Sequence, residues 1–290
     1  MQTTFSATAH AIALVALSTG IACVQVGARA PDEVAAKLED RLETRVGVFV
    51  LDTGTGETWE HRADERFPMA STFKSFACSA LLDKAAKGSL ALDDTVAVEV
   101  SDLVTYSPVT EKRVGSRLSL REACEATLRT SDNTAANIVL EALGGPQAVT
   151  DFMRSIGDDA TRLDRYETAL NEARPGDARD TTTPRAAAES LRTLLLDDGL
   201  GASDRQLLGN WMRSNEVAGP LLRAGIPDTW IAADRSGAGG FGTRGVTAVL
   251  WPPEHAPFVV AAYLTGREIP MESRNEALAE IGRAVAGLVE

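Results

Sequence analysis

Lysine is scarce in this chain: of 29 basic residues only five, at positions 37, 74, 84, 87 and 112, are lysines. A lysine inside a motif therefore carries more weight here than in an average protein. Histidine is scarcer still. His10, His61 and His255 stand far apart, which leaves no metal-ligand spacing and argues against a Ser-His-Asp triad. Excess positive charge is missing too, since the formal net charge is −12. That balance argues against a nucleic-acid surface and a polybasic membrane patch. Beyond residue 30 no apolar run is long enough to span a bilayer. Internal repeats and low-complexity linkers are absent.

What remains is an ordinary globular composition, 44% hydrophobic and 24% charged, in a chain of 290 residues that can bury one large core or two lobes. The N-terminus reads as an export signal. An apolar, small-residue run, "AIALVALSTGIACVQVG", is followed by "ARA" before Pro31. Ala28 and Ala30 suit a signal peptidase, so cleavage is expected after Ala30 and the mature protein is expected in the periplasm or medium. The n-region lacks Lys and Arg. Lipidation at Cys23 is the lesser reading, because Gly20 sits where a large aliphatic residue is usual. Removing the segment leaves Cys78 and Cys124. In an exported protein an even pair suggests a disulfide, here between two helical stretches, with two buried free thiols as the alternative.

After an amphipathic helix over about 32–44, "RVGVFVLDTGTGETWEHR" alternates, turns and returns, a hairpin signal. From Ser71 to about Asn210 the pattern is helical, as in "STFKSFACSALLDKAAKG" and "NTAANIVLEALGG". A polar, non-periodic stretch over 158–183 interrupts it, and loops of that length are usually functional or disordered. Strands resume with "TWIAADRS", "GVTAVLWPP" and "FVVAAYLTG" before a closing helix. Strands at both ends with helices between them imply an α+β protein: one antiparallel sheet built from both termini, with an inserted helical lobe.

"GAGGFG" at 237–242 fits the dinucleotide fingerprint. That fingerprint needs a helix after the glycines, with its N-terminus on the pyrophosphate. Here a β-branched, alternating segment follows instead. The context is strand, turn, strand, so no nucleotide cofactor is expected.

Four other clusters carry chemistry. In Ser71-Thr72-Phe73-Lys74, a helix starting at Ser71 puts Lys74 one turn on, on the same face. A serine hydroxyl is a weak nucleophile until a nearby group takes its proton, and a desolvated amine can do so. Ser131-Asp132-Asn133 lies between two helical runs; these are favoured N-cap residues and also a hydroxyl and an amide able to reach a cleft. Glu167 and Asn171, in the polar stretch, form a carboxylate and amide able to hold a water, where a solvated charge run is the bland reading. Arg235-Ser236-Gly237 ends a strand.

Together these clusters resemble the class A serine β-lactamases, whose motif set is S-x-x-K, S-D-N and K-T-G. A fixed tripeptide occurs by chance at about one position in ten thousand, so several in register leave little room for coincidence. Cys78 and Cys124 also fall where many members have a disulfide. The resemblance implies the β-lactamase/penicillin-binding transpeptidase-like fold. Its α/β sandwich lobe, with a five-stranded antiparallel sheet, would span 31–70 and 212–290. The helical lobe would span 71–211, including the 158–183 loop.

It also implies a mechanism. Ser71 attacks the lactam carbonyl, with the N–H groups of Ser71 and Ala238 as oxyanion hole. Ser131, linked to Lys74, passes a proton to the departing nitrogen. Asn133 binds the substrate's side-chain amide and Tyr106 walls the cleft. Glu167 and Asn171 position the deacylating water; either Lys74 or Glu167 serves as acylation base. Arg162 with Asp164, and Arg165 with Asp180, pin the loop, and the Glu167–Thr168 peptide is expected cis. Asp132 reads as a structural cap. Where most relatives have Lys-Thr-Gly, Arg235-Ser236-Gly237 matches the carbenicillin-hydrolysing branch. Arg235 would offer the substrate carboxylate a planar, bidentate cation, completed by Ser236 and Arg244. Neither Ala70 nor Gly239 is a cysteine, unlike the carbapenem-hydrolysing members that bridge those places. The resemblance implies a small β-lactam as the sole partner, a monomer, and no metal or cofactor. Rival readings are a penicillin-binding peptidase or a β-lactam sensor that is only acylated; Glu167 and Asn171 argue for turnover.

Overall fold

The computed structural model describes residues 1–3 and 29–289. Cys23 and nearly all of the expected export signal lie outside the described residues. Helix α1 (Pro31–Leu42) starts on a proline, whose missing N–H costs nothing at that position. Asp32 and Glu33 sit at its positive end and Arg41 at its negative end. It stops two residues short of the sequence estimate because Glu43 takes a left-handed conformation. Strands β1 (Arg45–Asp52) and β2 (Thr58–His61) form the hairpin. Strand β3 (Phe67–Pro68) and a 3-10 turn, Ala70–Thr72, lead into α2 (Phe73–Ala86). A small ribbon of β4 (Thr95–Ala97) and β5 (Arg117–Ser119) precedes α3 (Leu120–Thr130), α4 (Asn133–Leu143) and α5 (Gln147–Ser155).

The 158–183 stretch, non-periodic in sequence, holds a 3-10 turn at Ala169–Glu172 and ends in β6 (Thr181–Thr182), which pairs with β3. Helices α6 (Pro184–Leu195) and α7 (Ala202–Arg213) follow, then β7 (Ile231–Ala238), β8 (Arg244–Trp251), β9 (Phe258–Thr265) and α8 (Met271–Ala286). The main sheet is antiparallel, in the order β2-β1-β9-β8-β7. The two ends of the chain thus interleave in one sheet, giving the α+β architecture read from the sequence.

Period-2 alternation divides the side chains of that sheet between two cores. Val46, Val48, Val50, Val246 and Val260 pack with Ala35 and Leu38 of α1 and Leu278 and Ile281 of α8. Phe49, Val249, Val259 and Tyr263 belong to the second core, which includes residues of α2, α3, α4 and α6. Helix α2 is buried without a break from Phe73 to Leu82, as a helix at the centre of a lobe must be. Helix α3 opens with a capping box, Ser119 with Glu122, and α4 ends on Gly144 at a left-handed φ of 94°. Among the described residues no helix is long and apolar enough to cross a membrane.

Cys78 of α2 and Cys124 of α3 form a disulfide, with Cα atoms 5.7 Å apart and 46 residues between them in sequence. Closing a loop of that length removes about 4 kcal/mol of unfolded-chain freedom. The paired Cys78→Ala, Cys124→Ala variant is expected to lose roughly 2–4 kcal/mol of stability. Thermal unfolding with active-site titration should show a lower midpoint and little change in turnover per folded site.

Candidate active site

Ser71 sits in the 3-10 turn between β3 and α2, buried to 8% exposure. Helix α2 begins at Phe73 rather than at Ser71. The turn already winds in the right-handed sense, with Thr72 at φ −66° and ψ −24°, so Lys74 still comes round beneath the hydroxyl. Ser71 Oγ donates to Glu167 Oε1 at 3.2 Å, and Lys74 Nζ lies 3.1 Å from the same oxygen. Lys74 also donates to Asn133 Oδ1 at 2.6 Å, the Ser131 carbonyl at 2.9 Å and Ser131 Oγ at 3.3 Å. Lys74 has no exposed surface. Its burial favours the uncharged amine and pulls the pKa down to about 8; Glu167 opposes that fall and Arg235 adds to it.

Ser131 caps the C-terminus of α3 in the left-handed region, φ 66°, and Asp132 is the N-cap of α4. Reversing the chain between the two helices turns Ser131 and Asn133 towards Lys74. Asp132 is fully buried: Oδ1 accepts from the Ala135 N–H, Oδ2 from the N–H groups of Val109 and Thr110, and the Thr110 hydroxyl lies within reach of both. Its role is therefore to tie the 98–116 segment to α4. Asn133 Nδ2 donates to the Thr105 carbonyl, which leaves its second N–H free.

Glu167 is held from every side. Asn171 Nδ2 donates to Oε2 at 2.5 Å, and Asn171 Oδ1 is buried with no protein partner. The Glu167–Thr168 peptide is cis. Asn137 accepts from the Glu167 N–H and donates to its carbonyl, both at 2.9 Å. The sequence reading missed Asn137, although it stands one helical turn after Asn133 on the same face. Arg162 pairs with Asp164 and Arg165 with Asp180, each at 2.5 Å. Glu172, also missed, takes a second bond from Arg165 at 2.8 Å.

Arg235 lines the same cleft as Ser71 and Ser131. It is fully buried, and its fork is partly spent on the protein: Nε on the Ser71 carbonyl at 3.1 Å, Nη1 on the Leu128 carbonyl at 3.3 Å, and Nη2 on Ser131 Oγ. One N–H on Nη1 and one on Nη2 have no acceptor among the described residues. Burial lowers the Arg235 pKa to about 10. Asp234, beside it on β7, is paired with Arg223 and accepts from Asn215. No signal in the sequence pointed to these two partners.

Arg244 is a more open cation than Arg235: its Nε donates to Asn275 and its Nη1 to the Gly237 carbonyl, and among the described residues nothing accepts from Nη2. Burial first, and Arg274 second, lower its pKa to about 10. Ser71, Ser131, Asn133, Arg235, Ser236, Gly237, Ala238 and Arg244 line a cavity of 420 Å³, flanked by Tyr106, Val217 and Met271. The glycines of 237–242 make close approaches. A Cβ on Gly237 would stand 2.6 Å from the Met69 carbonyl and 2.9 Å from the Ser71 nitrogen, and one on Gly240 2.7 Å from the Glu172 carbonyl. β8 follows, with no helix between.

The family model for the β-lactamase enzyme family matches residues 30–289. The chain belongs to that family. β-Lactamase PSE-4 of Pseudomonas aeruginosa is 51% identical over 248 residues, covering 86% of each chain, and CARB-3 of the same organism matches equally over the same span. Among solved structures, the chromosome-encoded β-lactamase of Vibrio parahaemolyticus superposes with a TM-score of 0.87 at 43% identity, covering 90% of this chain and 99% of that one. An ancestral class A β-lactamase superposes with 0.86 at 52% identity, covering 88% and 98%. This class A β-lactamase is a hydrolase of the β-lactam amide bond, a reaction that confers antibiotic resistance; the peptidase and sensor readings lose to it.

In this β-lactamase the Lys74 amine loses its proton as pH rises through about 8. Removing the Glu167 charge takes away what holds that pKa up. In Glu167→Gln, the acylation rate followed by rapid mixing should rise with pH through an inflection below 8. A rate with no inflection anywhere between that pH and the acid limit of the folded enzyme would exclude Lys74 as the acylation base.

Proposed function

We propose that Ser71 is the nucleophile of penicillin hydrolysis and that Glu167 turns the resulting acyl-enzyme over. The observation that carries this reading is the convergence on one carboxylate: Ser71 Oγ and Lys74 Nζ on Oε1, and Asn171 on Oε2. Within that group the Ser71 proton has a base at hydrogen-bond distance. Attack on the lactam carbonyl forms the Ser71 ester while the N–H groups of Ser71 and Ala238 receive the oxyanion. Ser131 accepts from both Lys74 and Arg235, so its own proton is left to donate to the departing nitrogen. Glu167 then takes a proton from a water that the unpartnered Asn171 Oδ1 helps to hold.

On this reading Asn133 gives its free N–H to the substrate's side-chain carbonyl, and Tyr106 forms the wall. Ser236 and Arg244 receive the substrate carboxylate, and Gly237 lets the substrate lie along β7. Arg235 contributes its positive charge, holds Ser131 and has two N–H groups left for a substrate carboxylate. We further propose that carbenicillin is among the substrates, since Arg235-Ser236-Gly237 departs from Lys-Thr-Gly and relatives such as CARB-3 are about half identical. Export with cleavage near Ala30, and action as a monomer on a small β-lactam, complete the proposal.

Glu167→Ala should accumulate one acyl group per molecule on Ser71 by mass spectrometry, where the wild type passes through many turnovers of benzylpenicillin. A wild type that itself stays acylated would overturn the reading. Lysine at 235 cannot offer a carboxylate two N–H groups in one plane, and carbenicillin carries a second carboxylate that ampicillin lacks. Arg235→Lys should therefore lose kcat/KM on carbenicillin, and by roughly tenfold more than on ampicillin, about the worth of one charge-assisted hydrogen bond. Equal losses would mean that Arg235 does not set the preference.

A further inference from the structure

A row of paired residues crosses four strands of the main sheet. Gly47 on β1 pairs with Tyr263 on β9, Tyr263 with Gly245 on β8, and Gly245 with Gly237 on β7. Directly paired residues in antiparallel strands point to the same face, so three glycines flank one tyrosine there. None of the glycine positions has room for a side chain. A Cβ on Gly47 would lie 2.4 Å from the Phe67 ring, one on Gly245 2.4 Å from the Tyr263 ring, and one on Gly237 2.6 Å from the Met69 carbonyl. The row is a cleared lane, and the segment running from Phe67 to the nucleophile turn lies directly in it.

Tyr263 is the one side chain left standing in that lane. It is fully buried, and its ring stacks on Phe67 with centroids 6.1 Å apart. Its hydroxyl lies 3.2 Å from Thr72 Oγ1, and Thr72 Oγ1 in turn donates to the Met69 carbonyl at 2.8 Å. A hydroxyl has one proton to give, so in this pair Tyr263 is the donor. Burial pushes its pKa above the ordinary phenol value, which keeps it a donor.

We infer that Tyr263 is a positioning residue for the oxyanion hole: through Thr72 it sets the height of the Ser71 N–H above the sheet that also carries the Ala238 N–H. The inference rests on the reading of those two N–H groups as the oxyanion donors. Ala238 is fixed directly by the ladder of β7 with β8. Ser71 is not in the sheet. It belongs to a turn whose first residue, Ala70, holds a left-handed φ of 42°, a conformation that persists only where its surroundings impose it. The bond from Arg235 to the Ser71 carbonyl is one tie, and the Tyr263–Thr72 bond is the other. Both N–H groups are thereby referred to one rigid sheet, and oxyanion stabilisation depends on that spacing.

Tyr263→Phe keeps the ring and removes the donor, while Thr72→Val removes the acceptor and keeps the branched shape. Both are compared with the wild type by kcat, KM, thermal midpoint and the Ki of phenylboronic acid, which forms a tetrahedral adduct on Ser71 with a boron hydroxyl in the oxyanion position. Each variant should lose kcat/KM per titrated active site roughly tenfold, the worth of one buried neutral hydrogen bond. The boronate Ki should rise by a like factor, KM should change little, and the double variant should fall no further. A purely structural role would lower the midpoint and the titratable fraction while leaving per-site kcat/KM and Ki at wild-type values, and that result overturns the inference. If Tyr263→Phe does not fold, Thr72→Val decides by the same criterion. A wild type that neither turns over benzylpenicillin nor acquires an acyl group on Ser71 would instead bring down the functional reading.

Discussion

Two cations with no exposed surface, Lys74 and Arg235, set the terms for the rest of this molecule. Taking a charge out of water is tolerable only where every donor meets an acceptor and an opposite charge lies close. Lys74 meets that condition with Glu167, Asn133 and Ser131; Arg235 approaches it, with three of its five N–H groups on two main-chain carbonyls and the Ser131 hydroxyl and the charges of Asp234 and Glu167 nearby. These acceptors come from four separate places: the turn before α2, the end of α3, the start of α4 and the 158–183 loop. Both charges are satisfied only when all four are docked against β7. The cleft is the junction where that docking happens.

The same arrangement prepares the site for acyl transfer. Ser131 stands between the two cations, so its oxygen is an acceptor twice over and its proton faces elsewhere. Lys74 stays near the balance between charged and neutral forms because burial and Glu167 pull against each other. Arg244 keeps one arm free beside the cavity. The positive character of the pocket is local, on a chain whose net charge is −12. At physiological salt the field falls off within about 8 Å, so the pocket acts on a bound substrate more than on a distant one.

Legibility in the sequence followed the range of the interaction. Helices, the hairpin and the three closing strands were readable because their periodicity is local. So were Ser71 with Lys74, and Ser131 with Asn133, since each pair fits within one turn or one cap. The loop pairs Arg162–Asp164 and Arg165–Asp180 were reached only by resemblance. Asn137 could have been found from its helical spacing to Asn133. Asn215, Arg223 and Tyr263 offered nothing, since a buried partner far along the chain leaves no mark on its own neighbourhood. The misplaced start of α2 came from a 3-10 turn with the same handedness and the same types of residue.

The sequence by itself determined the chemistry: a hydroxyl, an amine and a carboxylate in motifs too specific to be chance, and an antiparallel sheet drawn from both ends of the chain. Only the tertiary structure decided how those groups are used. Ser71 meets Glu167 across 96 residues, Arg235 reaches the Ser71 carbonyl across 164, and Tyr263 reaches Thr72 across 191. At such separations composition and spacing carry no geometric information. Which lone pair a buried donor takes is settled by packing and desolvation, and three of the five N–H groups of Arg235 accordingly went to the protein's own oxygens. The glycines of 237–242 divide in the same way. As letters they allowed a nucleotide loop; in the fold Gly237 lets β7 lie against the Ser71 turn, and Gly239 and Gly240 let the segment after it lie against the 158–183 loop.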